Sequence, residues 1–502
     1  MWRKPEREPM IGQKKKYVIP GISLAFSLRS ARCVRSLPLT LAVLAFAQWG
    51  YRSALAADDF LLEQKRPLIK ADRSREDWSL LADPKLRTEP LDSLKYIPLF
   101  PSNPDSYISL GLNLREIFEV SDAPAFGTVR ANPGDSYWLQ RAQFHIDVHL
   151  NENWQVFTQF EDVRAFDKTV VGPNDANQFD LRLAFIGYTQ ETDAGTFRAR
   201  VGRQDFAFDL ERFVSVRDGP NVRQAFDAVW AGWETDAWRF YGLVSQPVQY
   251  RDDDPFDDRS SSDAMFSGVR VERQLSPDIE ASAYYALYQR KDATFLTASG
   301  EEDRHILNIR TAGKYAGFDW DVEAMGQVGK VGAADILAWA MGARTGYTFE
   351  NVTWSPRIGL QFDVASGDGD AGDGTLGTFN PLFPNGFYFS LGGHTGYTNL
   401  VHIKPSVTVQ PIEDLTLMAG VGLLWRQTTD DAVYTLPSIP VAGTAGQGPA
   451  WTGAYLQVRA DYRFNPNLTG SLEAVHYQVG SALEAVGGRD SNYVRAELKL
   501  VW

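Results

Sequence analysis

Between Trp138 and Leu150 the sequence changes character at every step. Trp138, Ala142, Phe144, Ile146, Val148 and Leu150 share one parity, and Arg141, Gln143, His145, Asp147 and His149 share the other. A period of two means an extended strand with one apolar and one polar face. Asn151-Glu152-Asn153 turns the chain, and Trp154, Val156 and Phe160 resume the pattern. The same reading predicts about eighteen strands of roughly ten residues each. They fall near 107–119, 135–150, 154–164, 179–189, 196–205, 226–234, 238–248, 264–273, 279–289, 304–314, 318–328, 336–347, 352–364, 398–410, 415–426, 453–464, 468–479 and 492–502.

The connections alternate in length. Short turns fall at Asn151–Asn153, Glu234–Ala237, Gln274–Asp278, Tyr315–Gly317, Pro411–Asp414 and Asn465–Asn467; long ones fall at 165–178, 206–225, 249–263, 365–397 and 427–452. Up-down hairpins closed into a barrel produce this alternation, with short periplasmic turns and longer outer loops. The expected fold is therefore all-β: a single antiparallel transmembrane β-barrel over 107–502, with both termini facing the periplasm. Trp138, Trp154, Trp230, Trp238, Trp320, Trp354, Trp425 and Tyr462 lie near strand ends, as interfacial girdles require. The chain closes on an alternating strand, Tyr493 to Trp502, with a terminal aromatic. That ending resembles the signal read by the barrel-assembly machinery, an expected partner alongside outer-membrane lipid.

Composition narrows the alternatives. Across 502 residues, 44% are hydrophobic and 13% aromatic, which excludes a disordered or collagenous chain. After Ala57 no run approaches the roughly 18 apolar residues of a membrane helix. A net charge of -13 argues against general nucleic-acid binding.

The first 56 residues read as a signal peptide. Arg3, Lys4, Lys14, Lys15, Lys16, Arg29, Arg32 and Arg35 form a long basic region, Leu37 to Ala47 an apolar one, and Ala54-Leu55-Ala56 a cleavage pattern. Export to the outer membrane of a Gram-negative cell follows. Cys33, the single cysteine, leaves with the leader, so neither a disulfide nor a cysteine nucleophile is expected. Residues 57–106, rich in Pro, Lys, Arg and Asp, read as a periplasmic arm that could enter the lumen.

Several segments resemble the alginate-export family of outer-membrane barrels. They are Glu76 to Leu80 with Arg87 to Leu99; Leu139-Gln140-Arg141 with Asp147 to Leu150 and Val156 to Gln159; Gly202-Arg203-Gln204 with Arg212 to Asp227; Ala365 to Asp368 with Gly377 to Pro384; and Asn399 to Pro405 with Trp425-Arg426. The resemblance implies an 18-stranded porin-like barrel whose arginine-rich lumen passes an anionic polysaccharide. The family's alginate exporter uses a long periplasmic loop as a plug, whereas every predicted periplasmic turn here is short.

On the inward parity, arginines lead. Arg115, Arg141, Arg203, Arg217, Arg223, Arg310, Arg357, Lys404 and Arg459, with Asp321 and Glu323, are the expected pore-lining residues. A guanidinium fork matches carboxylates bidentately, and a low-dielectric wall focuses its field on an anionic chain. The same Arg–acid ladders could equally brace the wall. Loop 206–225, with Arg212, Arg217 and Arg223 around Asp218-Gly219-Pro220-Asn221, is expected to fold inward and narrow the pore. Asp252-Asp253-Asp254 with Asp257-Asp258 form one acidic cluster. Asp368, Asp370 and Asp373, spaced by glycines, are candidates for a structural Ca²⁺. No other cofactor is expected.

Catalysis is not expected. His145 and His149 lie four apart on one strand face, about 13 Å from each other, too far to share a zinc ion. His476 has no serine partner assigned by the sequence. The expected function is an outer-membrane channel for an alginate-like polyuronate, served by periplasmic export partners. A general porin for small anionic solutes and a non-conducting structural or adhesive barrel are the alternatives.

Overall fold

The computed structural model describes residues 66–100, 102–128 and 134–502. The expected leader, including Cys33 and the cleavage pattern, lies outside the described residues.

Eighteen long strands follow one another. They are β1 (Tyr107–Ser121), β2 (Asp135–His149), β3 (Trp154–Phe166), β4 (Asn177–Thr192), β5 (Gly195–Gln204), β6 (Phe226–Glu234), β7 (Trp238–Gln249), β8 (Ala264–Ser276) and β9 (Ile279–Thr294). The second half comprises β10 (Ser299–Tyr315), β11 (Phe318–Val331), β12 (Ala334–Thr348), β13 (Arg357–Ala365), β14 (Leu400–Ile412), β15 (Leu415–Trp425), β16 (Trp451–Asn465), β17 (Leu468–Val479) and β18 (Ser491–Val501). Each pairs antiparallel with the next, and β18 returns to β1 from Asn113–Val501 to Ser121–Tyr493. Closure leaves no free edge, so every strand finds partners on both sides.

The parity seen in the sequence sorts the wall. Ile186, Val201, Val229, Val269, Leu307, Ile309, Leu337, Leu360, Leu456 and Leu472 point outward and stay exposed. A belt of this extent in water would far exceed the apolar patches soluble proteins tolerate, whereas against lipid it is the stable face. Tyr315, Phe318, Tyr347, Phe349, Tyr462 and Phe464 are exposed beside the short turns and form an aromatic rim there. The turn between β10 and β11 shows why such reversals are tight. Ala316 and Gly317 both adopt positive φ (50° and 83°), the twist that suits a two-residue hairpin.

The alternation of connection lengths has two exceptions. Phe295–Ala298 and Gly332–Ala333 are tight, because β9, β10, β11 and β12 extend past their expected ends. The interior also departs from a uniformly wet lumen. Inward residues of β6 to β12, among them Phe226, Phe266, Tyr284, Ile306 and Ile336, join Phe213, Phe379 and Phe383 from two long connections. These connections, 205–225 and 366–399, meet inside the barrel, where Val214 bridges Phe383 and the Phe383 amide donates to the Phe213 carbonyl at 2.9 Å. An apolar core thus fills part of the lumen, interleaved with buried ion pairs such as Arg304–Glu302 and Arg270–Asp209.

Candidate functional site

The basic row begins with strand register. Arg115 of β1 stands directly opposite Arg141 of β2 and opposite Lys499 of β18. All three share the inward parity. They line a small cavity together with Lys70, Arg73, Asn113, Gln143, Asp218 and Arg223.

Loop 205–225 crosses the lumen to reach this wall. At one end Arg212 is fully buried and binds Asp321 at 2.6 Å and Glu323 at 2.9 Å, both on β11. Its Nε donates to the Tyr388 hydroxyl at 2.6 Å, which ties in the second inward connection. Burial opposes this charge. The surrounding Tyr388, Tyr397, Glu323 and Asp321 outweigh it and hold the guanidinium above its ordinary range. At the other end Arg115 donates to the Asp218 and Pro220 carbonyls, and Arg141 binds the Asp218 carboxylate at 2.5 Å. The Asn221 amide group donates to the carbonyls of Gln140, Arg164 and Asp175. From β2 to β11 is nine positions around a ring of eighteen, so the loop spans opposite walls.

Asp218 is the charge hub. Burial works against its ionisation, yet Arg141, Arg223, Lys499 and Arg115 hold it well below the usual carboxylate range. Arg217 is its opposite. Its side chain makes no hydrogen bond or ion pair among the described residues, and burial pushes its pKa down against the weaker pull of Tyr250 and Tyr288. Its backbone sits at φ 52°, an uncommon conformation for a side chain of this size.

The arm packs beside this row. Residues 66–100 pack against inward groups near the end that carries the short turns. Arg73 donates to the Leu112 and Trp502 carbonyls and to the Asn113 side chain. Lys95 donates to the Leu110 carbonyl and lies 4.5 Å from the Trp502 ring centre. Its pKa is pushed down to about 7, first by burial and then by Arg73. Trp78 and Leu81 are fully buried beside Tyr96 and Tyr107.

A family model described as alginate export matches residues 106–497. That span is most of the chain and includes Arg115, Arg141 and Arg223, with Lys499 just past its end. The chain belongs to the alginate export family. Among curated proteins none matches the sequence. Solved structures share the fold at low identity. OccK11 (OpdR) of Pseudomonas aeruginosa is 12% identical with a TM-score of 0.52, covering 78% of this chain and 95% of its own. OpdO of the same organism is 12% identical with a TM-score of 0.53, covering 79% and 97%. OccK2 (OpdF), solved in complex with glucuronate, is 12% identical with a TM-score of 0.51, covering 80% and 97%. This alginate-export family member is thus an outer-membrane β-barrel of the channel type.

The expected pore residues do not form one ring. Arg115, Arg141, Arg223 and Asp218 converge. Arg203 pairs with Asp227 at 3.0 Å toward the long loops, and Arg357 with Asp319 at 2.6 Å near the short turns. Arg310 bridges Glu280 and Asp321, and Arg459 is held by Asp461 and Glu473. Lys404 is buried and donates to the Phe389 carbonyl at 2.8 Å. Most of these cations brace the wall or anchor a loop. Asp321 and Glu323 serve as the seat for Arg212.

Asp368, Asp370 and Asp373 are not gathered around a common point. Asp368 is buried and accepts from Thr297 at 2.6 Å, while Asp370 and Asp373 accept from the Gly372 and Thr375 amides in local turns. Among the described residues, the group of three carboxylates within 4.8 Å of one another is Asp180, Asp257 and Asp258. The sequence also puts Asp363 on the inward parity but not its partners: its carboxylate gathers Tyr388, Tyr397 and His402 and fixes connection 366–399. Arg73 and Lys95 carry no sequence signal for a role in the lumen. A buried acid partnered by residues far along the chain leaves no local pattern.

Proposed function

We propose that this alginate-export family member passes an anionic polysaccharide, a polyuronate of the alginate type, across the outer membrane. The observation that carries the reading is the basic row Arg115, Arg141 and Lys499, set by register on three neighbouring strands and facing a cavity. It belongs to a chain of net charge -13, so the positive field is local to the lumen and not a property of the whole surface. Conduction needs binding that is favourable yet weak at many sites, and the acid-paired arginines along the wall suit that requirement. The short-turn end, where both described chain ends lie, faces the periplasm in this reading.

A second reading, a porin for small anionic solutes, is favoured by the fold neighbours, one of which was solved with glucuronate and another, OpdK, with vanillate. Planar-bilayer recording separates the two. A polyuronate chain added on the short-turn side should block the current at far lower carboxylate concentration than a small dicarboxylate. Equal block by both would favour the small-solute porin.

A further inference from the structure

Three cations side by side in a β-ladder are an unfavourable arrangement unless an anion joins them. Arg115 and Arg141 are each almost wholly buried, with side-chain exposures of 3%. The acids of the wall are already engaged. Glu497 lies 4.0 Å from Arg115 but is bound by Arg495 at 2.5 Å. Glu161 is shared by Gln143 at 2.9 Å and Arg182 at 3.5 Å. The anion that meets the row comes from the crossing loop.

That anion is Asp218. Its carboxylate lies 2.5 Å from Arg141, 3.5 Å from Arg223 and 3.9 Å from Lys499. The row retains spare capacity, since the buried Nε of Arg115 has no hydrogen-bond partner. Asp218 itself is 44% exposed to the lumen, so its place is open to exchange. We propose that Arg115, Arg141, Arg223 and Lys499 form a carboxylate-binding subsite for one uronate unit, and that Asp218 is its intramolecular occupant, displaced when substrate enters. The proposal rests on the anionic-channel reading above and adds to it a defined subsite with its own internal competitor.

The site is built to be emptied. Arg115, Arg141 and Lys499 are fixed by strand pairing, whereas the competitor rides on a loop, as Arg223 does. Gly219 follows Asp218, and a Cβ there would run into the Phe387 ring, so the loop holds its position only while that glycine fits under connection 366–399. A ligand that must first displace an internal group binds with its affinity reduced by the fraction of open sites.

The test uses the full mature barrel in planar bilayers, with galacturonate as probe and galactose as uncharged control. Asp218→Asn should lower the galacturonate concentration that gives half block by about tenfold, the scale of one charge-assisted contact. Galactose should show no change, and Asp218→Glu should restore the wild-type value. Adding Arg141→Gln to Asp218→Asn should erase the gain. Gly219→Ala, which keeps every charge and pushes the loop away, should strengthen block in the same direction. This second variant decides the matter if Asp218→Asn fails to assemble. Unchanged galacturonate block in both variants, with anion selectivity intact, would overturn the subsite and leave the channel reading standing. A wild-type pore without anion selectivity would overturn both.

Discussion

At the scale of single residues, Arg212 is the most consequential side chain in the lumen. It is fully buried between Asp321, Glu323 and Tyr388, and truncating it would leave two carboxylates with a lost partner. Breaking a buried pair from one side costs about 3–5 kcal/mol. Arg212→Gln should therefore lower the unfolding midpoint of the detergent-solubilised barrel and raise single-channel conductance. An unshifted midpoint would show that the loop is not anchored there. Arg212 was legible as part of a charged loop, but its seat was not. The partners lie 109 and 111 residues away, beyond any local pattern. Asp218 shows the same limit: the sequence marks it as a turn residue, and only strand register reveals three cations waiting for it.

Among the elements, the strands were readable because the backbone imposes parity, and a slip of one residue would turn every apolar group into the lumen. The loops were less so, since nothing in 366–399 announces that Asp363 will hold it. One buried group there makes docking pH-dependent. His394 donates to or accepts from Ser491 at 3.0 Å, and burial pushes its pKa from 6.5 down to about 4. A pKa lowered on folding means the unfolded segment binds the extra proton. The stability is therefore full above about pH 6.5 and is lost as pH falls toward 4, on the order of 2 kcal/mol at pH 5. Proteolysis of connection 366–399 should accelerate between about pH 6.5 and 5, and His394→Gln should flatten that dependence. The arm makes a separate prediction. Arg73→Ala removes hydrogen bonds to Leu112, Asn113 and Trp502. If the arm restricts the lumen, this variant should increase conductance while leaving barrel assembly, read by heat-dependent mobility on gels, unchanged. Unaltered conductance would show that the arm lies outside the ion path.

For the whole molecule, charge is distributed by place. The acids that give the net -13 are partly spent on wall arginines and partly gathered in loops, as with Asp252 to Asp258. The cations of the basic row face the cavity. Architecture was legible because length, alternation and turn spacing all demanded one closed sheet. The apolar filling of the lumen was not, because loops of unrelated sequence help to create it. The account's central claim is that this interior selects anions. The most direct measurement is the reversal potential of the wild-type barrel in a planar bilayer under a potassium chloride gradient. The account predicts a potential of the sign for chloride permeation, moving toward zero in Arg115→Gln/Arg141→Gln. A potential of the sign for potassium permeation would contradict it.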